Sequence, residues 1–377
     1  MSDWQYSSLG EILPFKYGKG LPERKRSGTG EFNVVSSAGI TGTHNTALTS
    51  EPCVVIGRKG TIGSLHYCPE PVWPIDTTFY VTGSKQIELR YAYYLLRTLP
   101  LATMNNDSAI PGLNRSQAEA IKVCVPDITE QRRITGVLGA LDDKIESNQA
   151  VVTRAEQLID AIAEQKATVL PTVALSEVCS LSKSTWKPDT SSDQTVHLFS
   201  LPAFDEGAVP EQAAVSTIKS NKTLVDRPGI LVSRLNPRIS RMWWVETDAT
   251  PVSVCSPEFA YLTAGDMHGL ACTWLAVRSP EFRGEIVDRV TGTSGSHQRV
   301  RPADLMTIGV PDYRLLAEHT QMTVLTLLHL VSARRQQSVA LAELRDALLP
   351  ELMSGRMRVD KAGCLVSEAL DKEAADV

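Results

Sequence analysis

Apolar residues recur at alternating steps of four and three through the middle of the chain. Ile134, Leu138, Leu141, Ile145, Asn148, Val152, Ala155, Ile159 and Ile162 form one column, interrupted only at Asn148. Heptad spacing held for about four repeats predicts a single long helix within residues 126–170. At about 1.5 Å per residue, a helix from Ile128 to Lys166 would be roughly 58 Å long, more than one face of a small core can cover. A second column, Leu316, Thr320, Thr323, Leu327, Leu330, Arg334, Gln337, Leu341, Leu344 and Leu348, predicts a distal long helix within 311–360. It too is polar near its middle.

The pattern changes in the segments before each column. In residues 1–125, PCVVIGRKGTIGSLHYCPEPVWPIDTTFYV reads as short strands broken by glycine and proline, and LRYAYYLLRTL as a short amphipathic helix. In residues 171–310, GILVSRLNPRISRMWWVETD and SVCSPEFAYLTA read as strands, and LACTWLAVRSPEFRGEIVDRV as helix. Both segments mix α and β without regular βαβ alternation. Residues 361–377 read as a frayed tail.

The chain also repeats itself. LGEILPFKYGKGLP (9–22) has a counterpart in LSEVCSLSKSTWKP (175–188), an offset of 166. An offset of 185 lays SAIPGLNRSQAEAIKVCVPD (108–127) on SGSHQRVRPADLMTIGVPD (294–312). So long a period excludes a solenoid and indicates duplication of a domain followed by a helix. The expected fold is α+β: two mixed α/β domains joined by two long helices, with a pseudo-twofold relation between the halves.

Those helices are expected to pair as an antiparallel coiled coil. Setting Asn148 opposite Arg334 brings Leu138 to Leu344, Leu141 to Leu341, Val152 to Leu330 and Ala155 to Leu327, with Ile145 on the same seam. Asn148, Arg334 and Gln337 would then satisfy one another in a polar layer that fixes register.

With 377 residues, 42% hydrophobic and 21% charged, the chain has material for two or three domains. No apolar run approaches a membrane span, and MSDWQYSSLGEI lacks the features of a signal peptide, so a cytoplasmic location is expected. Seven scattered cysteines without a C-x-x-C pair fit reduced thiols and no zinc site. The net charge of −5 argues mildly against nucleic acid, although residues 1–125 are close to neutral, with 12 basic and 10 acidic side chains.

Catalytic signatures are missing. There is no [DN]-P-P-[YFW], G-x-S-x-G or H-E-x-x-H, and GRKGTIGS (57–64) lacks the G-K-[ST] ending of a phosphate loop. The histidines are isolated, which suits solvated loops better than metal ligation.

VVIGRKGTIGSLHYCPEPVWPIDTTFYV, SAIPGLNR, VPDITEQRRI, LDDKIESN and LAELRDALLPELMSGRMRV together resemble the specificity subunit of a Type I restriction-modification system, over nearly the whole chain. SGSHQRVR departs from the family's I-P-G-L-N core, and the distal helix has no match to LDDKIESN. The resemblance implies a non-catalytic subunit that binds double-stranded DNA, reads a bipartite target with one half-site per globular domain, and docks two methyltransferase subunits and restriction subunits. It implies no cofactor on this chain: S-adenosylmethionine, ATP and Mg would be bound by those partners. A specificity subunit of a related Type IIB or IIG-like methyltransferase-nuclease, a scaffold without DNA readout, and a free-standing enzyme are the competing readings.

Three groups are candidates for DNA contact. Arg58 and Lys59 lie in a turn where Gly57, Gly60 and Gly63 would let cations approach phosphates, or simply form a tight solvated hairpin. Arg234, Asn236, Arg238 and Arg241 fall on an expected strand, where they could fork to guanine or adenine, or serve as a charged edge. Asn114 and Arg115, with His297, Gln298 and Arg299 at the repeated position, precede the last short helix of each domain. There they could meet phosphate, and Asn114 could instead cap its helix.

Overall fold

The computed structural model describes residues 4–104, 112–189, 191, 193–247, 251–290 and 298–371. The chain divides into two compact units, Met1–Lys144 with Leu341–Val377, and Ile145–Ala340. Each unit holds one mixed α/β body and part of each of two long helices. These are the central helix Ile128–Ala167 and the distal helix Glu318–Met353.

In the first unit, β1 (Gln5–Ser8), β2 (Lys16–Tyr17), β3 (Phe32–Ser36), β4 (Gly39–His44), β5 (Cys53–Gly57), β6 (Leu65–Cys68), β7 (Trp73–Pro74), β8 (Thr78–Val81) and β9 (Lys122–Val125) build three sheets. The main sheet has the order β2-β8-β5-β6 and is antiparallel throughout. Its central strand β5, CVVIG, is buried at every position, so it reads as an unbroken β-branched run rather than an alternating one. A second sheet runs β4-β3-β7, and β1 pairs with β9.

The body is fastened to the central helix by its Leu89–Arg97 helix, which buries Tyr91, Ala92, Tyr94, Leu95 and Leu96. Tyr94 donates its hydroxyl to Asp142, and Arg90 forks onto Asp143 and the Gly139 carbonyl. Gly139 makes this possible, because a Cβ there would sit 2.8 Å from the Arg90 guanidinium. Fully buried Gln131 donates to the carbonyls of Gln86 and Pro126 and accepts from the Glu88 N–H, so the glutamine of T-E-Q ties helix start to body.

The second unit repeats this plan. Its strands are β10 (Thr172–Ala174), β11 (Ser180–Leu181), β12 (Thr185–Trp186), β13 (Thr195–Phe199), β14 (Glu211–Ala214), β15 (Lys222–Leu224), β16 (Gly229–Ser233), β17 (Met242–Val245), β18 (Ser253–Cys255), β19 (Phe259–Thr263) and β20 (Gly309–Pro311). The main sheet, β11-β19-β16-β17, matches β2-β8-β5-β6 strand for strand. A five-stranded sheet, β12-β15-β18-β13-β14, replaces the smaller three-stranded one.

The expected single helix over 270–290 is two, Met267–Arg278 and Pro280–Asp288, because Ser279 takes an extended conformation and caps the second one ahead of Pro280. Arg278 forks onto Asp160 of the central helix with two bonds of 2.6 Å, and Arg283 adds a third at 3.1 Å.

The duplication has a register at its closing end slightly different from the V-P-D match. The Leu9 N–H donates to the Ile121 carbonyl (2.8 Å) and the Leu175 N–H to that of Ile308 (2.9 Å), an offset of 187 rather than 185. In the first half Asp127 directly caps the central helix, whereas in the second a 3₁₀ turn, Tyr313–Leu315, follows Asp312. The identical tripeptides therefore sit at shifted places on the fold.

Both long helices are present, and their portions pair in antiparallel fashion. In the second unit Val152 and Ala155 pack on Val331 and Leu327, and Glu156 bonds Arg335 at 2.9 Å. In the first, Arg345 bonds Asp142 at 2.7 Å. The central-helix column matches the burial: Leu138, Leu141, Asn148 and Val152 are buried, and Ile145 is half-buried.

The distal column is displaced. Val324, Leu328 and Val331 are buried where Thr323, Leu327 and Leu330 were expected, although half-buried Leu327 still packs on the Val152 and Ala155 cluster as expected; Gln337 and Leu341 are buried as expected and Leu344 is half-buried. LTLLHLV offers two adjacent apolar columns, and the globular core chooses between them by packing Val324 and Leu328. The polar layer also differs: the Asn148 amide donates to Ser338 (3.3 Å), while Arg334 bonds Gln337 on its own helix (3.0 Å).

The expected tail from 361 is helical instead. Gly355, at φ +72°, ends the distal helix, and a further helix, Val359–Asp371, buries Val359, Ala362 and Val366. Apolar spacing of three and four in VDKAGCLVSEAL accounts for it.

Candidate nucleic-acid interface

Arg58 and Lys59 follow β5 in the turn to β6. The turn is held from three directions. Both residues donate their N–H to the Thr77 carbonyl (2.9 and 3.0 Å), the Arg58 guanidinium donates to the Asp76 carbonyl (3.2 Å), and the Arg58 carbonyl accepts from the Leu113 N–H (2.9 Å). Gly63 has φ +72°, and a Cβ on it would lie 2.4 Å from the Ala102 nitrogen, so only glycine fits. The bond to Leu113 brings the turn beside Asn114 and Arg115. Asn114 caps the five-residue helix Arg115–Glu119 through the Gln117 N–H (3.2 Å), and Arg115 pairs with Glu119 (3.0 Å).

Tyr17, on the edge strand β2, lies against both cations. The Arg58 guanidinium is 5.2 Å and that of Arg115 5.7 Å from its ring centroid, within cation–π range. Arg58 also lies 5.7 Å from the Phe79 ring, which meets Tyr17 edge-on. Among the described residues Arg58 has no carboxylate partner, so its charge is held by carbonyl and aromatic faces alone.

Arg234 is the counterpart of Arg58 in the second unit, and its main-chain setting is the same. Its N–H donates to the Glu258 carbonyl (2.8 Å), its guanidinium to the Pro257 carbonyl (2.8 Å), and its own carbonyl accepts from Val300 (3.0 Å). Asn236 adopts φ +52° and donates to the Gln298 carbonyl (2.9 Å), so Arg234, Asn236, Gln298 and Arg299 come together as Arg58, Asn114 and Arg115 do.

The electrostatics differ. Arg299 forks onto Glu258 (2.8 and 2.9 Å), and burial draws the Arg234 guanidinium below its usual pKa, opposed by Glu258. Residues 234–241 form a hairpin turn between β16 and β17 rather than the expected strand, since Pro237 and the left-handed Asn236 break the ladder. Within it Arg238 is exposed, whereas Arg241 is mostly buried and forks onto Asp205 (2.7 and 2.8 Å), a tie to the Leu201–Asp205 helix. His297 lies outside the described residues. Among those described, no cluster suited to a metal ion is found, and no helix is long and apolar enough to cross a membrane.

Sequence reasoning missed Tyr17, Phe79 and Glu258. The aromatic pair was legible only as strand composition, and nothing in the sequence shows that Tyr17 reaches a turn 41 positions later.

These features define a tandemly duplicated protein of two α/β bodies, each presenting an arginine turn beside its last short helix and each followed by a long helix. Residues 1–157 match the family model described as the Type I restriction modification DNA specificity domain. Over that first part the chain is similar to the Type I specificity family. No curated protein matches by sequence.

Among solved structures, the crystal structure of the Type-I restriction-modification system S subunit from M. genitalium shares the fold. Its TM-score is 0.62 at 13% identity, over 93% of this chain and 96% of that one. The HsdS subunit from Thermoanaerobacter tengcongensis is 16% identical over 97% of this chain and 96% of its own, with a TM-score of 0.28. A chain from a study of complex assembly and conformational transition of the type I R-M system is 15% identical over 93% and 97%, with a TM-score of 0.35.

Proposed function

We propose that the chain is the sequence-reading subunit of a Type I restriction-modification complex. It binds double-stranded DNA at a bipartite target, one half-site per α/β body, and docks methyltransferase and restriction subunits. The observation that carries this reading is the duplicated arginine turn: Arg58 and Arg234 make three equivalent hydrogen bonds to the main chain in two bodies whose main sheets share one strand order. A fixed frame with variable surroundings suits two readers of different sequence, because the common bonds position the turn while neighbouring side chains set preference.

Arg58, Lys59 and Arg115 would face one half-site, and Arg234, Asn236, Arg238, Gln298 and Arg299 the other. Arg241, engaged by Asp205, would contribute shape. S-adenosylmethionine, ATP and Mg would be bound by the partner subunits, where methyl transfer and cleavage take place.

Mapping methylated adenines genome-wide tests this, in a strain carrying the partner subunits with and without this chain. One bipartite motif should be methylated only when the chain is present. A motif that persists without it refutes the reading.

A further inference from the structure

We propose that Tyr17 positions Arg58 and Arg115 as a contact to the DNA backbone in the first unit, an inference that rests on the DNA-reading function above. Two guanidinium groups over one ring repel each other, and the arrangement lacks matching negative charge. Glu119 is the carboxylate paired with Arg115, its same oxygen also accepts the Phe15 N–H (2.8 Å), and Arg58 has only the Asp76 carbonyl. A phosphate supplies what is missing: oxygens that accept from guanidinium forks and a charge that relieves the repulsion.

The ring lies where such a contact needs it. Tyr17 is 53% exposed on an edge strand, so it presents a surface while its inner edge rests on Phe79. Arginine stacked on an aromatic face loses less side-chain freedom on binding than a solvated one. The corresponding edge strand of the second unit, Ser180–Leu181, has no aromatic residue, and there Glu258 already answers Arg299. The contact is thus a property of the first half-site.

The test uses the chain assembled with its methyltransferase subunits on DNA carrying the methylated motif, with affinity measured from 50 to 200 mM salt. Tyr17→Leu should weaken binding roughly tenfold at low salt, about the loss of one charge-assisted hydrogen bond. It should also flatten the plot of log affinity against log salt by about one and leave the methylated motif unchanged. Tyr17→Phe should bind like wild type, because the ring and not the hydroxyl does the work. Arg58→Ala should also weaken binding, and the double variant should lose less than the sum of the two single losses, because part of what Tyr17→Leu removes is the placement of Arg58.

Wild-type affinity and slope in Tyr17→Leu, an altered motif, additive losses in the double variant, or a Tyr17→Phe as weak as Tyr17→Leu would each overturn the proposal. If the wild-type complex methylates no motif that depends on this chain, the DNA-reading function fails and the contact with it. A specific wild-type complex with an unaffected Tyr17→Leu removes the contact alone.

Discussion

Replacing Asp160 tests how the second α/β body is held to the central helix. Its carboxylate receives two bonds of 2.6 Å from Arg278 and one of 3.1 Å from Arg283, and the Arg278 guanidinium lies 5.5 Å from the Trp274 ring. The Arg278 side chain is 15% exposed and that of Asp160 27%. This lies between a surface ion pair, worth about 1 kcal/mol or less, and a buried one whose disruption costs about 3–5 kcal/mol.

Asp160→Ala should therefore destabilise by about 2–3 kcal/mol, since it leaves two neighbouring guanidinium groups without their shared anion. Asp160→Asn should be nearly as costly despite its shape, because its NH₂ faces a donor where the carboxylate presented an acceptor. Urea unfolding of the full chain, followed by tryptophan fluorescence, reads this out, with Trp274 beside the lesion. An Asp160→Asn within about 0.5 kcal/mol of wild type, the usual scatter of surface substitutions, would refute the reasoning.

Val331→Ala should cost about 2 kcal/mol, from lost apolar burial plus a residual cavity, and more than Leu330→Ala, although the leucine is larger. Equal losses in urea titrations would mean that the seam follows Leu330 after all. Ser7, Ser8 and, to a small degree, Lys122 hold Glu11 at about pKa 2 against an ordinary 4.5. Its folded pKa is depressed, so the stabilisation lost in Glu11→Gln should be complete above pH 4.5 and vanish as pH falls toward about 2; a gap between the two unfolding midpoints that does not narrow over that range contradicts this. Arg238→Ala should leave thermal stability unchanged and relax one position of the second half-site, at about 1–3 kcal/mol if the contact is bidentate to a base. A methylation map and an affinity both identical to wild type would show that Arg238 does not touch DNA.

Periodicity makes the long helices legible because each exceeds what local noise imitates, and the central column coincides with the inward face of its helix from Leu138 to Val152. The distal column was displaced over its first half because LTLLHLV is apolar on two adjacent faces, and the choice rests on a body packed against Val324 and Leu328. Duplication was visible at the ends of each body, where LGEI and LSEV open with glutamates that accept a main-chain N–H in the same way. It was not visible in the middle, where Arg58 and Arg234 occupy equivalent turns in dissimilar sequences.

The candidate site was half legible for the same reason. A glycine-flanked R-K pair announces a turn by itself, whereas the Tyr17 platform and the Glu258 counter-charge arise from strand pairing across distant positions. Arg241 and Arg299 looked alike as free cations, because a sequence does not show that Asp205 and Glu258 lie within ion-pair reach.

A domain exchange asks whether each α/β body reads its own half-site. Exchanging residues 175–310 for the matching segment of a relative with a different target, followed by genome-wide mapping of methylated adenines, tests it most directly. One half of the bipartite motif should change and the other stay as it was. A motif altered in both halves, or in neither, would contradict it.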